Sequence, residues 1–501
     1  MPTAVLKRHM GVGYGVEMGH NRISMILLKV VLGGFVKINI YVRSCILGVC
    51  KMKKCLLILC SLLAACGPEM ERGSVSSDGN TKSLITDHTQ KTIRISLPNF
   101  ANELALVDSY DLNGDGIAEF IIAPSADPEA QLQISGNVPK SRLSELEKLP
   151  SYIAISGKDG YSVHELPNSK SWRTWAGQFF EISGKTFLFL GRNGEVGLPG
   201  ENTGEKSVLY SFENDDDGLK INTIWQSNKN TVTSSVSIYV ENEAAYILEN
   251  NYGLTNIRSS AKKVYDTVLY KFSPPNHMQG LNLVNRLKHS AADNYLRLLD
   301  YDKDGKIDLL AASEVWKSLD GKTNMSPWPE SYVINNVFTN SKKFKLSPAA
   351  FGANHAGMAI NSLSKNGTSF IIETSTEFTG HLGGGFNGAK VKAYNASNNF
   401  KEVEVRGKLN TNKGTFRDLK NITVGGVPSL LVGYYTTRPQ VISLQDDMSV
   451  IVRNLPIRNY DTGSWASTIL PVQMQDCLAF ASANVHQRSK SLTVKLSNCV
   501  D

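Results

Sequence analysis

The chain is expected to be all-β, assembled from seven four-stranded units in a ring. Two observations predict this. A short apolar triplet recurs along the body of the sequence, and two copies of it are preceded by an oxygen-rich acidic loop. No long helical periodicity competes with the pattern.

The triplets are Phe120-Ile-Ile122, Phe187-Leu-Phe189, Tyr246-Ile-Leu248, the shorter Leu309-Leu310, Phe370-Ile-Ile372, Leu430-Leu-Val432 and Leu478-Ala-Phe480. Their starts recur at a period of about 60 residues, which marks a repeat whose units cannot bury their faces alone. Four copies follow a tight turn: Ser183-Gly-Lys185, Glu241-Asn-Glu243, Lys365-Asn-Gly367 and Gly425-Gly426. These turns lack the run of acids and are assigned no metal. Further pairs of alternating or apolar segments follow most triplets, as in Tyr152–Ser156 with Tyr161–Leu166, Ser207–Phe212 with Leu219–Ile224, and Ala389–Tyr394 with Phe400–Val405. Four short strands per unit, repeated around a ring, describe a seven-bladed β-propeller. The seventh unit has a single clear strand after Leu478, Ser491–Leu496, and a spare strand, Thr92–Leu97, stands before the first unit. The N-terminal strand is therefore expected to complete the last blade and remove an exposed edge. Cys477 and Cys499 then share a blade, where they form either a disulfide worth about 3 kcal/mol or two buried thiols.

The two acidic loops are Asp300-Tyr-Asp302-Lys-Asp304-Gly305-Lys-Ile-Asp308 and Asp111-Leu-Asn113-Gly-Asp115-Gly116-Ile-Ala-Glu119. Side-chain oxygens at positions 1, 3, 5 and 9 and the backbone carbonyl of position 7, Lys306 or Ile117, suit a hard cation that takes six to eight oxygens. Gly305 and Gly116 permit the sharp turn. An EF-hand would require a Glu where Ala311 stands, and an exiting helix where an apolar strand begins. The loops resemble the FG-GAP/VCBS repeats of integrin α-subunit propellers and bacterial surface proteins. That resemblance implies a seven-bladed propeller over roughly Thr92 to Asp501, with Ca2+ held by Asp300, Asp302, Asp304, Lys306 and Asp308 and by Asp111, Asn113, Asp115, Ile117 and Glu119. Glu119 departs from the usual Asp at position 9, and only two of the seven units keep the ligand pattern.

The N-terminal region reads as an address. Met52-Lys-Lys54 and the apolar Cys55–Leu63 form the n- and h-regions of a secretory signal at 52–65. Leu63-Ala-Ala-Cys66 is similar to the lipobox of bacterial lipoproteins, which implies acylation of Cys66 and a cell-envelope location. Gly67 in place of Asp after that cysteine implies the outer membrane. Residues 66–91, polar and poor in apolar side chains, are expected to be a flexible tether. Residues 1–51 are read as an upstream leader, with Met52 the start, or else as a genuine extra segment. Ile23–Val49 is apolar in bulk but broken by Lys29, Lys37 and Arg43, each costing about 3 kcal/mol at a bilayer centre.

The formal charge of +7 gives no case for nucleic acid. Nine Lys and Arg against one acid lie before Cys66, and the rest of the chain carries 44 against 45. Gly200–Ser207 has a phosphate-loop look, but Glu205 separates glycine from lysine, so it reads as a hairpin loop. Trp328, His355 and His381 fall in expected inter-strand loops and are candidate surface contacts. No HExxH, GxSxG or zinc-type cysteine framework is present. The expected function is a calcium-stabilised, lipid-anchored propeller that binds protein or glycan. The alternative is a propeller enzyme, such as a polysaccharide lyase or hydrolase, with its site in the axial pocket.

Overall fold

The computed structural model describes four N-terminal strands and most of 91–497. Within 91–497 the segments 102–103, 125–147, 159, 172–173, 175, 193–204, 216–217, 232, 252–266, 275–279, 288–292, 314–330, 340–343, 347–354, 379–385, 410–415, 435–438, 456–465, 475–476 and 485–488 lie outside the described residues. The chain divides into two units, Met1–Ile85 and Thr86–Asp501. In the first, Leu6–Arg8, Val12–Met18, Ser24–Leu32 and Val36–Arg43 pair as an antiparallel meander, so the expected leader carries strands. The signal segment 52–65, Cys66 and the tether up to residue 90 lie outside the described residues.

The second unit is all-β, with one 3-10 turn at Ala396–Asn398 and no α-helix among the described residues. Its described strands form seven sheets. Sheet 1 joins Leu104–Tyr110, Glu119–Pro124, Tyr152–Gly157 and Gly160–Glu165, and sheet 2 joins Ala176–Ile182, Lys185–Gly191, Val208–Asp215 and Gly218–Gln226. Sheet 3 holds Thr233–Glu241, Ala244–Asn251, Thr267–Phe272 and Asn282–Leu287, and sheet 4 holds Asp293–Leu299, Asp308–Ser313, Tyr332–Ile334 and Phe344–Lys345. Sheet 5 comprises His355–Lys365, Thr368–Phe378, Phe386–Asn395 and Lys401–Val403. Sheet 6 comprises Phe416–Val424, Val427–Tyr434, Gln440–Leu444 and Val450–Asn454. In sheet 7, Ala466–Met474, Cys477–Asn484 and Ser489–Leu496 are completed by Lys91–Ala101, with Leu492 opposite Ile95 and Val494 opposite Ile93. The expected N-terminal strand thus pairs into the last sheet.

Each apolar triplet is the core of a second strand, and its continuity has a cause. Successive side chains on a strand face opposite ways. Phe120 and Ile122 pack against sheet 7, while Ile121 packs against sheet 2. Phe187 and Phe189 pack towards sheet 3, and Leu188 towards sheet 1. Both faces of the strand are buried along the triplet, so the triplet itself carries no charged residue. Seven apolar clusters result, one between each pair of consecutive sheets and the last between sheets 7 and 1.

First strands differ, because they carry the polar links between sheets. Asp108 Oδ2 accepts the Phe179 N–H at 2.8 Å, Gln178 Oε1 accepts that of Ile238 at 3.2 Å, and Ser237 Oγ accepts that of Leu298 at 2.9 Å. Asn361 Nδ2 donates to the Leu419 carbonyl at 2.6 Å, and Ser109 Oγ to that of Pro471 at 3.0 Å.

Among the described residues, the turns between first and second strands sort into two kinds. At Ser183-Gly184, Asn242-Glu243, Asn366-Gly367 and Gly425-Gly426 both central residues have positive φ, as a type I′ hairpin requires. In sheets 1 and 4 an acidic loop takes the place of this turn.

Two corrections concern sheet 5. The expected strand Phe400–Val405 is broken: Lys401–Val403 ends sheet 5, while Val405–Arg406 crosses to pair in parallel with Val450–Asn454 of sheet 6. His355, expected in a loop, opens a strand and sits opposite Glu377. Trp328 and His381 lie outside the described residues.

A buried acid follows the triplet in sheets 3 and 5. Glu249 accepts hydrogen bonds from Ser207 and, at 2.7 Å, from Thr233, and Glu373 accepts one from Ser331. In both cases the serine stands just before the third strand of the preceding sheet, 42 residues upstream of its acid. Burial raises the Glu249 pKa, and it pushes Glu373 up to about 7 against the pull of the Ser331 hydroxyl. A raised carboxyl pKa means the folded state holds its proton more tightly than the unfolded state. The stability this confers is therefore complete in acid and lost as pH rises towards 7. Replacing Glu373 with Gln is expected to leave stability near pH 5 unchanged and to raise it by about 3 kcal/mol near pH 8. Denaturant midpoints of the two proteins at both pH values check this; a constant difference between them would contradict it.

Candidate functional site

The loop between the first two strands of sheet 4 brings three acids together. One carboxylate oxygen from each of Asp300, Asp302 and Asp304 lies within 4.8 Å of the others. The backbone makes this arrangement. Lys303 and Gly305 take positive φ, at 61° and 77°, which turns the chain twice within five residues. Asp300 then accepts the N–H groups of Asp304 at 3.1 Å and Gly305 at 3.0 Å, while Asp304 Oδ1 accepts that of Lys306 at 2.9 Å. In sheet 1 the same two positions are Gly114 and Gly116, both with positive φ. Asp111 there accepts the N–H groups of Gly114 and Gly116 at 2.8 and 3.0 Å.

Position 9 does something the spacing did not suggest. Asp308 is 1% exposed, and its two oxygens accept the backbone N–H groups of Tyr301 at 3.2 Å and Asn336 at 2.9 Å. Glu119, fully buried, makes the corresponding bonds with Leu112 at 2.5 Å and Ser156 at 3.1 Å, and accepts the Ser156 hydroxyl at 2.7 Å. In both loops this acid staples position 2 to the end of the third strand, and Asp308 stands outside the cluster of three. Burial raises the pKa of Glu119 and pushes that of Asp308 up to about 7.

The donor set of the sheet 4 loop fits a hard divalent cation. Hard oxygens spread over less than 5 Å can reach one ion at calcium's bond length of about 2.4 Å. Partial burial and the neighbouring acids Asp304 and Asp300 raise the Asp302 pKa, a penalty that a cation would reverse. Lys306 Nζ, 2.6 Å from Asp304 Oδ2, already brings one positive charge to the rim and lowers the pKa of that acid. The sheet 1 loop fits less well. Its Asp115 Oδ2 accepts the Ser156 hydroxyl at 2.6 Å and the Asn113 amide at 3.2 Å, so this carboxylate is drawn towards the third strand. The backbone of Ile117 bridges to Met474 of sheet 7.

Cys477 is disulfide-bonded, and Cys499 lies outside the described residues.

A pocket of about 850 Å3 opens where the first strands of sheets 1, 5, 6 and 7 end, next to Asp111. Its wall combines Ser362, Ser364, Asn421, Thr423 and Ser429 with Pro428 and Pro471. Tyr110 reaches the wall as well, but its hydroxyl donates to Glu181 at 2.7 Å, and burial with that carboxylate raises its pKa. Sequence reasoning missed this pocket because its residues are common ones drawn from four distant segments. The Ser207–Glu249 and Ser331–Glu373 pairs were also missed, although an acid directly after an apolar triplet was a visible signal.

No family model matches the chain, and no curated protein does, so the resemblance to FG-GAP/VCBS repeats rests on the two loops alone. Among solved structures, the chain is similar to an α-L-arabinofuranosidase of Fusarium graminearum, with 11% identity over 65% of this chain and 92% of that one, at a TM-score of 0.39. A Trypanosoma rangeli sialidase aligns at 10% identity over 69% and 56% of the two chains, with a TM-score of 0.35. Raptor of Chaetomium thermophilum aligns at 9% identity over 81% and 29%, with a TM-score of 0.42.

Proposed function

We propose that residues 91–497 form a closed seven-bladed propeller, stabilised by Ca2+ in the acidic loops, that acts as a non-enzymatic binding module. Its support is the cyclic series of seven inter-sheet cores, together with the strand Lys91–Ala101 that completes the sheet beside sheet 1. In this reading Cys66 carries an acyl anchor at a bacterial envelope membrane, 67–90 tethers the ring, and Cys499 is the partner of Cys477. Calcium is structural here, because the loop supplies its own ligands. With a dissociation constant of about 10⁻⁴ M and millimolar external calcium, each filled loop would add about 2 kcal/mol.

The observation that carries binding over catalysis is the state of the polar groups at the inner strands. Asp108, the acid central to the first strand of sheet 1, is occupied by the Phe179 N–H and by Lys420 Nζ at 3.2 Å. Glu181 accepts the Tyr110 hydroxyl, and Asp111 is held by its own loop. Each of these acids is already engaged within the fold, which supports a binding role over general acid–base work. The test is to extract the anchored protein in mild detergent with calcium and measure both co-purifying partners and glycan turnover. A partner or glycan retained in constant ratio without turnover is expected. Steady release of cleaved glycan would overturn the reading in favour of a propeller lyase or hydrolase.

A further inference from the structure

We infer that the pocket at the ends of the first strands of sheets 1, 5, 6 and 7 is a binding site for an uncharged, polyhydroxylated ligand, a neutral saccharide. The inference rests on the binding-module reading and gives that module its ligand class.

Three features lead to it. The first is size: about 850 Å3 lies within the range of small-ligand sites and accommodates two or three sugar rings. The second is charge. Among the described residues no Lys, Arg or His lines the pocket, and the one acid that does, Asp111, already accepts two loop N–H groups. A phosphate, sulfate or carboxylate ligand would meet no cationic side chain among the described lining residues and would lie beside that carboxylate, an unfavourable desolvated arrangement. The third is the arrangement of donors and acceptors. Residues two apart on a strand share a face, so Ser362 with Ser364 form a short polar row on the side of sheet 5 towards sheet 4, and Asn421 with Thr423 form another on the side of sheet 6 towards sheet 5. Ser364 and Ser429 are engaged with Ser369 and Ser443. The Ser362 and Thr423 hydroxyls make no hydrogen bond among the described residues, and the Asn421 amide nitrogen, whose partner oxygen receives Asn361 at 3.4 Å, makes none either. Free hydroxyl and amide groups in the lining of one cleft, with the apolar Pro428 and Pro471 beside them, match the alternation of hydroxyl edge and C–H face on a sugar ring.

The test uses the full chain with calcium and a panel of maltotriose, cellotriose, chitotriose and, as the charged comparison, trigalacturonate, read by calorimetry. At least one neutral trisaccharide is expected to bind and trigalacturonate is not. Thr423→Trp, at an exposed position, fills the cleft and is expected to abolish binding, while Asn421→Ala is expected to weaken it by about tenfold. Preference for trigalacturonate, absence of any neutral binder, or binding unaltered by both substitutions overturns the assignment. Failure of this kind beside a retained protein partner leaves the module reading intact. Cleavage of a bound trisaccharide would instead retain the pocket and overturn the non-enzymatic reading.

Discussion

A chain lacking residues 91–97 is expected not to fold cooperatively. Ile93, Ile95 and Leu97 bury their side chains in the cluster shared by sheets 7 and 1, at 9%, 0% and 6% exposure. At about 1.5–3 kcal/mol each they contribute roughly 5–9 kcal/mol, comparable to the whole stability of an ordinary domain at about 5–15 kcal/mol. The deletion would also expose the ladder edge of Ser489–Leu496, an invitation to pairing between molecules. Aggregation and loss of a sharp thermal transition are the expected signs. A truncated chain that melts sharply at the parent temperature would show that this strand closes nothing.

The second large effect belongs to Asp308. Its replacement by Ala is expected to cost about 3 kcal/mol, because the buried N–H groups of Tyr301 and Asn336 each lose their acceptor. That loss should be the same with and without calcium, since the side chain stands outside the cluster of three. Asp308→Asn retains one acceptor oxygen and should cost less. Urea titrations of the three proteins, in calcium and in chelator, separate these outcomes. A cost seen only in calcium would return Asp308 to the role of a ligand.

Much of the fold was legible for a physical reason. Second strands bury both faces, so the triplets stand out as unbroken apolar runs, and each type I′ turn before them carries at least one Gly or Asn, which tolerate positive φ. First strands were illegible because Asp108, Gln178, Ser237 and Asn361 interrupt their apolar pattern with side chains that reach the backbone of the next sheet. Tyr332–Ile334 and Phe344–Lys345 are too short to carry a period. Of the candidate site, the convergence of Asp300, Asp302 and Asp304 followed from spacing. The inward turn of Asp308 and Glu119 did not, because position 9 is the first residue of a buried strand and its direction is set by tertiary packing.

The most direct test of the account is the melting temperature of the intact protein against added calcium, measured in parallel for Asp304→Ala. This exposed acid joins the cluster and staples nothing to the neighbouring strands, so the variant should match the parent in chelator and lack the stabilisation of about 2 kcal/mol that the parent gains from calcium at this loop. An identical calcium response in the two proteins would contradict a calcium ion in this loop, and with it the metal on which the proposed module depends.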